Sequence, residues 1–141
     1  MRSILMSTLL ISSILCFTNA QEKSIVGSVD NVPQIENELD GCACRLDTIF
    51  VSTFDGKTAW MNISGEITKL SLTKSTNPSS KKKSFYRIYN AEDLSVTIDF
   101  IILPKSPNES EESDGYQVNA VITFVKGKHR EVFKVKGLCA C

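Results

Sequence analysis

Along most of the chain, apolar and polar positions alternate with period two. TAWMNI (58–63) sets Ala59, Met61 and Ile63 on one face and Trp60 on the other. LSVTIDFIIL (94–103) does the same with Leu94, Val96, Ile98, Phe100 and Ile102, and YQVNAVITFV (116–125) with Tyr116, Val118, Ala120, Ile122 and Phe124. TIFVSTF (48–54), EITKLSL (66–72), SFYRIY (84–89) and HREVFKVK (129–136) are shorter runs rich in β-branched and aromatic residues. The last of these turns Val132 or Phe133, with Val135, inward. Successive side chains of an extended chain point to opposite faces, so this alternation predicts half-buried strands.

The gaps between these runs carry turn chemistry. Asp55-Gly56 favours a tight hairpin, Ser64-Gly65 makes a second turn, and Lys126-Gly127-Lys128 a third. Two longer polar stretches interrupt the pattern, 73–83 basic and 104–115 acidic. No segment sustains an apolar stripe of helical period over three turns; a single helical turn is expected around 90–94, with Asn90 as its cap. The expectation is an all-β domain over residues 41–141, a single antiparallel small barrel or sandwich of seven to eight strands. Sequential hairpins favour a meander, and closure would hide edges such as DFIIL.

The first forty residues read differently. Residues 1–20 open with one basic residue, Arg2, continue through an apolar stretch from Ile4 to Phe17, and end in Thr18-Asn19-Ala20. That is the layout of a secretory signal peptide, too short and too serine-broken for a membrane span. Lipid attachment at Cys16 is disfavoured, because the residue before it, Leu15, is not small. Residues 21–40 are charged and aperiodic, and are expected to form a flexible N-terminal segment with at most a short edge strand around Ile25–Val29.

Composition narrows the partners. Sixteen basic residues balance sixteen acidic ones, and the sequence pI is about 6.6. A chain without basic excess is a poor nucleic-acid binder. Removing the leader discards Cys16 and leaves Cys42, Cys44, Cys139 and Cys141. An even cysteine count in an exported chain favours disulfides.

These four form two Cys-x-Cys doublets, GCAC at 41–44 and CAC at 139–141. In a strand, residues two apart share a face at a spacing of about 6.6–6.8 Å, so each doublet presents two sulfurs on one side. Neighbouring antiparallel end strands would join Cys42 to Cys141 and Cys44 to Cys139; parallel ones would join 42 to 139 and 44 to 141. The rival use of the same sulfurs is a thiolate site for zinc or copper, although one intervening residue is short of the usual zinc spacing.

Other candidates carry less chemistry. His129, between Lys128 and Arg130, is the only histidine, and no serine or cysteine nucleophile is tied to it. The run 109–114 lacks the alternation of a calcium loop, and Lys81-Lys82-Lys83 reads as a solvated patch. Asn62-Ile63-Ser64 and Asn108-Glu109-Ser110 match the glycosylation sequon.

GCACRL, AWMNISGEITKL and ITFVKGKHREVFKVKGLCAC together resemble a group of small exported bacterial proteins of uncharacterised function with paired Cys-x-Cys ends and a central AWMxIxG motif. The resemblance spans about residues 41–141. It implies export and a β-rich fold and brings no catalytic residue. More distantly, the layout is similar to periplasmic β-barrels that inhibit lysozyme, whose serine- and glycine-containing inhibitory loop has no counterpart here.

The expected function is therefore a secreted or periplasmic, non-enzymatic module without a cofactor. It would bind a protein or small ligand in the envelope or extracellular space and owe its stability to disulfides. The candidate contact surface is Asp55, Gly56, Lys128, His129 and Arg130 at the loop ends 55–57, 64–66 and 126–130, joined by Trp60 if it is an exposed partner anchor; the favoured reading of Trp60 is cover for the second face of the sheet.

Overall fold

The computed structural model describes residues 23–105, 107 and 115–141. The leader, Cys16, the second sequon and the acidic run 109–114 lie outside the described residues. The described elements are β1 (Val26–Gly27), α1 (Pro33–Leu39), β2 (Ala43–Leu46), β3 (Phe50–Thr53), β4 (Thr58–Ile63), β5 (Glu66–Ser75), β6 (Ser84–Ala91), β7 (Leu94–Ile102), β8 (Tyr116–Lys126) and β9 (His129–Ala140).

From β2 to β9 every strand pairs antiparallel with the next in sequence, and β9 pairs back onto β2. The result is a closed eight-stranded meander, which settles barrel over sandwich. Hairpins need short connections, and closure leaves no unpaired edge. The extra strand, β1, joins the outer edge of β4: Val26 and Gly27 face Ile63 and Asn62 there, while β3 holds the same edge higher up at Ala59 and Trp60.

An eight-stranded barrel is just wide enough for side chains to fill it. The inward register supplies them: Leu46, Phe50, Met61, Leu70, Tyr89, Val96, Ile98, Phe100, Val118, Ile122 and Phe124 are all fully buried in one cluster. In β9 the inward residues are Phe133 and Val135, and Val132 points out.

Ser64-Gly65 forms a two-residue turn with both residues at positive φ. At Asp55-Gly56 the connection is longer, and Gly56 alone takes positive φ. The helical turn expected at 90–94 is absent. Ala91 and Leu94 face each other as the last pair of a β6–β7 hairpin turned by Glu92-Asp93. Strand pairing on both sides outweighs the local capping signal of Asn90.

Residues 33–39, expected within a flexible lead-in, form a helix instead. Pro33 starts it, and Ile35 and Leu39, one turn apart, are buried on the outside of the barrel against Val51 and Trp60. Two apolar residues four apart are too few to register as a period, yet enough to dock two turns of helix on a sheet. Arg45 of β2 holds Glu36 at 2.7 Å, and Lys69 of β5 holds Glu38 at 3.1 Å. Both pairs are exposed and add little.

Candidate functional site

The sulfurs pair as the antiparallel alternative requires. Cys42 bonds to Cys141 and Cys44 to Cys139, joining residues 99 and 95 positions apart in the sequence. Both bridges sit on the seam between β2 and β9, the one junction of the meander that no hairpin connects. That seam is short, with four residue pairs from Ala43↔Ala140 to Leu46↔Gly137. Cys44 and Cys139 are wholly buried, whereas Cys141 is exposed and Cys42 half-buried. With all four sulfurs bonded to one another, no thiolate remains to ligate zinc or copper. Among the described residues, no other group of three or more His, Cys, Asp or Glu side chains is placed to hold a metal.

The strand directions divide the expected contact surface. The 54–57 hairpin lies at the disulfide end of the barrel. The turns at 64–65 and 127–128 lie at the opposite end. Asp55 and Gly56 are therefore separated by the barrel's length from Lys128, His129 and Arg130. Trp60 belongs to neither end: it is 4 % exposed, covered by α1 on the barrel wall. Of the two expectations for Trp60, cover for an apolar layer holds and the exposed partner anchor does not.

At the far end, His129 Nε2 meets Glu131 Oε2 at 2.9 Å, and the Ile25 amide donates to the same oxygen at 3.2 Å. Burial alone would raise the Glu131 pKa. Hydrogen bonds from the Ser24 hydroxyl, His129 and the Ile25 amide outweigh it, and the carboxyl sits below its ordinary value. The carboxylate stands between serine and imidazole here. Through these bonds the cluster ties Ser24 and Ile25 of the N-terminal segment to β9. Lys128 and Arg130 flank it, exposed to solvent. The Asn62 sequon is likewise occupied: Asn62 Nδ2 donates to the Ser28 carbonyl at 3.0 Å, beneath β1.

The disulfide end holds a group the sequence expectations missed. β6 turns Phe85, Arg87 and Tyr89 into the barrel, so an arginine stands in the buried register, 9 % exposed. The rings of Phe85 and Phe100 stack at 4.5 Å, and the Arg87 guanidinium carbon lies 5.4 Å from each ring centre. On its other side is Gly56, where a Cβ would overlap the guanidinium. Asp55, in the same hairpin, accepts from Thr53 Oγ1 at 2.7 Å and from the Lys57 amide at 3.0 Å. These bonds hold its carboxyl below the ordinary value, the Lys57 amide first and Thr53 next. Tyr89 lies deeper, edge-on to Phe50 at 5.5 Å; burial pushes its phenol up, partly opposed by the charge of Arg87. Neither Arg87 Nη1 nor the Tyr89 hydroxyl has a hydrogen-bond partner. The signal was available in SFYRIY, where the alternation that buries Phe85 and Tyr89 also buries the residue between them.

The chain matches no protein-family model, no curated protein and no solved structure.

Proposed function

We propose that this protein is an exported, non-enzymatic binding module: a small β-barrel that recognises a protein or small ligand outside the cytoplasm through the loops at its barrel ends. The observation that carries the reading is the disulfide-locked seam. Two bridges across the β2–β9 junction suit a domain that works in an oxidising compartment. The leader-like residues 1–20 support the same assignment, and among the described residues no helix is long and apolar enough to cross a membrane. The interior is filled by the domain's own side chains, which leaves recognition to the ends and the outer wall. The His129–Glu131 pair holds the N-terminal segment against β9, a role in the fold.

Two measurements test this. The protein is produced with its own leader in an exporting host, and its intact mass is taken before and after reduction. Cleavage after Ala20 and two bridges are expected; an uncut chain or free thiols would overturn export. The oxidised protein is then screened by thermal unfolding against anionic metabolites, peptides and glycans, since a ligand of the native state raises the midpoint as its concentration passes Kd. At least one class should stabilise it and be recovered unaltered. A ligand recovered chemically changed would make the protein an enzyme.

A further inference from the structure

Arg87 poses a problem that the fold does not solve. A guanidinium carries five N–H donors. Here it is nine-tenths buried, its Nη1 has no hydrogen-bond partner, and among the described residues no carboxylate lies within ion-pairing distance, while the Tyr89 phenol stands beside it. Asp55 is near enough for each charge to influence the other's surroundings, but its carboxylate bonds to Thr53 and Lys57 instead. A buried charge with no counter-charge is unfavourable. The stacked Phe85–Phe100 pair packs beside the guanidinium, whose carbon is 5.4 Å from each ring centre, and supplies no hydrogen-bond acceptor. Tyr89, wholly buried two residues along the strand, turns its hydroxyl toward Arg87 and Ser52, with no well-formed hydrogen bond to either. The Ser52 hydroxyl gives its own proton to the Thr53 carbonyl at 2.9 Å, so toward this pair it can act only as an acceptor, and it carries no negative charge to balance the guanidinium.

The geometry around this cation is specific. The stacked Phe85–Phe100 pair lies on one side and the Gly56 backbone on the other, so the planar fork is held in a slot under the 54–57 hairpin. Gly56 is buried and at φ +76°, and any side chain there would fill the space the guanidinium uses. A planar fork in a slot matches a planar, singly charged acceptor. A carboxylate accepts two parallel N–H bonds from such a fork. A phosphate dianion would bring twice the charge beside the ionised Asp55.

We propose that the disulfide end of the barrel is a carboxylate-binding site, with Arg87 as the anchoring cation in the slot between Gly56 and the Phe85–Phe100 pair. This rests on the binding-module reading and names the ligand chemistry of one barrel end. The ligand is a molecule that presents a free carboxylate small enough to enter beneath the hairpin.

The test is a titration of the intact, oxidised protein with sodium acetate, followed by the Arg87 Nε–Hε and Gly56 amide resonances. Sodium chloride replaces acetate to hold ionic strength constant, and a parallel series uses sodium phosphate. Acetate should produce a saturable shift at both resonances, with phosphate at least about tenfold weaker, a factor of 1.4 kcal/mol. Arg87→Lys, which keeps the charge and loses the fork, should weaken the acetate response by about tenfold or more; Arg87→Met should abolish it. Dispersed amide spectra certify that each variant is folded, and the wild-type comparison of acetate with chloride decides the matter if one is not. A linear drift equal to that of chloride would overturn the proposal, as would an undiminished response in folded Arg87→Met or phosphate binding as tight as acetate. Ligand-induced shifts confined to other residues would sink this site and leave the binding-module reading standing.

Discussion

Cys44 stands directly opposite Cys139 on the barrel's closing seam, both side chains turned into the core. Two residues outward along the same strands, Cys42 and Cys141 repeat the link. In the chain-entropy account a bridge closing a loop of this length contributes about 4–5 kcal/mol, and the second adds little because it closes almost no new loop. Replacing Cys42 and Cys141 by alanine should therefore cost roughly 1 kcal/mol or less. Replacing all four should cost about 4–5 kcal/mol. Denaturant unfolding measures both, and a full loss from the outer pair alone would contradict this account.

The same arrangement orders the two bridges by access. Cys141 is exposed and Cys42 half-buried, while the inner pair has no accessible surface. Under a mild reductant, alkylation followed by peptide mass mapping should label 42 and 141 before 44 and 139. Simultaneous labelling of all four would mean that the seam opens as a unit.

Gly137 faces Leu46 at the lower end of this seam, and a Cβ there would overlap the Arg45 carbonyl oxygen and the Leu46 side chain. Backbone cannot move aside as a side-chain tip can. Gly137→Ala should destabilise by about 1–3 kcal/mol, the usual range for overpacking. Retention of the wild-type unfolding midpoint would show that the seam has slack.

Glu131 gives the opposite end of the barrel a pH dependence. Its folded pKa lies below the ordinary value, so its contribution is complete above the unfolded pKa and is lost as pH falls through the lowered one. Acid should then loosen the hold on Ser24 and Ile25. Stability measured against pH should fall in this range for the wild type and be flatter for Glu131→Gln. Superimposable curves would remove Glu131 from this role.

Much of the barrel was legible because alternation is a tertiary signal: one face of each strand meets the core and the other meets water. It located the strands from β3 to β9 and the antiparallel option for the cysteines. The features it missed depend on few residues or on the third dimension. Ile35 and Leu39 make a docked helix from two contacts, whereas the short edge strand expected around Ile25–Val29 is present as β1 on the edge of β4. The expected contact surface scattered because nearness in turn type is not nearness in space: Asp55 and His129 cap opposite ends of a meander. Arg87 was hidden for the converse reason, a charge read as surface when its register said interior.

The helix offers the most direct check on how the N-terminal segment sits. Trp60 is the only tryptophan, and it is buried beneath Ile35 and Leu39 on the outer wall, apart from the main core. Its fluorescence therefore reports on α1 alone. The folded protein should emit at the short wavelengths of an enclosed indole. Ile35→Ala or Leu39→Ala removes a buried aliphatic group, a change that costs about 2–5 kcal/mol in a core, enough to undock a helix of seven residues. Emission should then shift to the red and become open to quenching by iodide, while far-ultraviolet circular dichroism keeps the β signature of the barrel. The barrel does not depend on this contact, because its interior cluster and both bridges lie elsewhere. A wild-type tryptophan already exposed to iodide would return residues 33–39 to the flexible segment that their composition suggests. Loss of the β signature together with the shift would instead make α1 a part of the barrel's own stability.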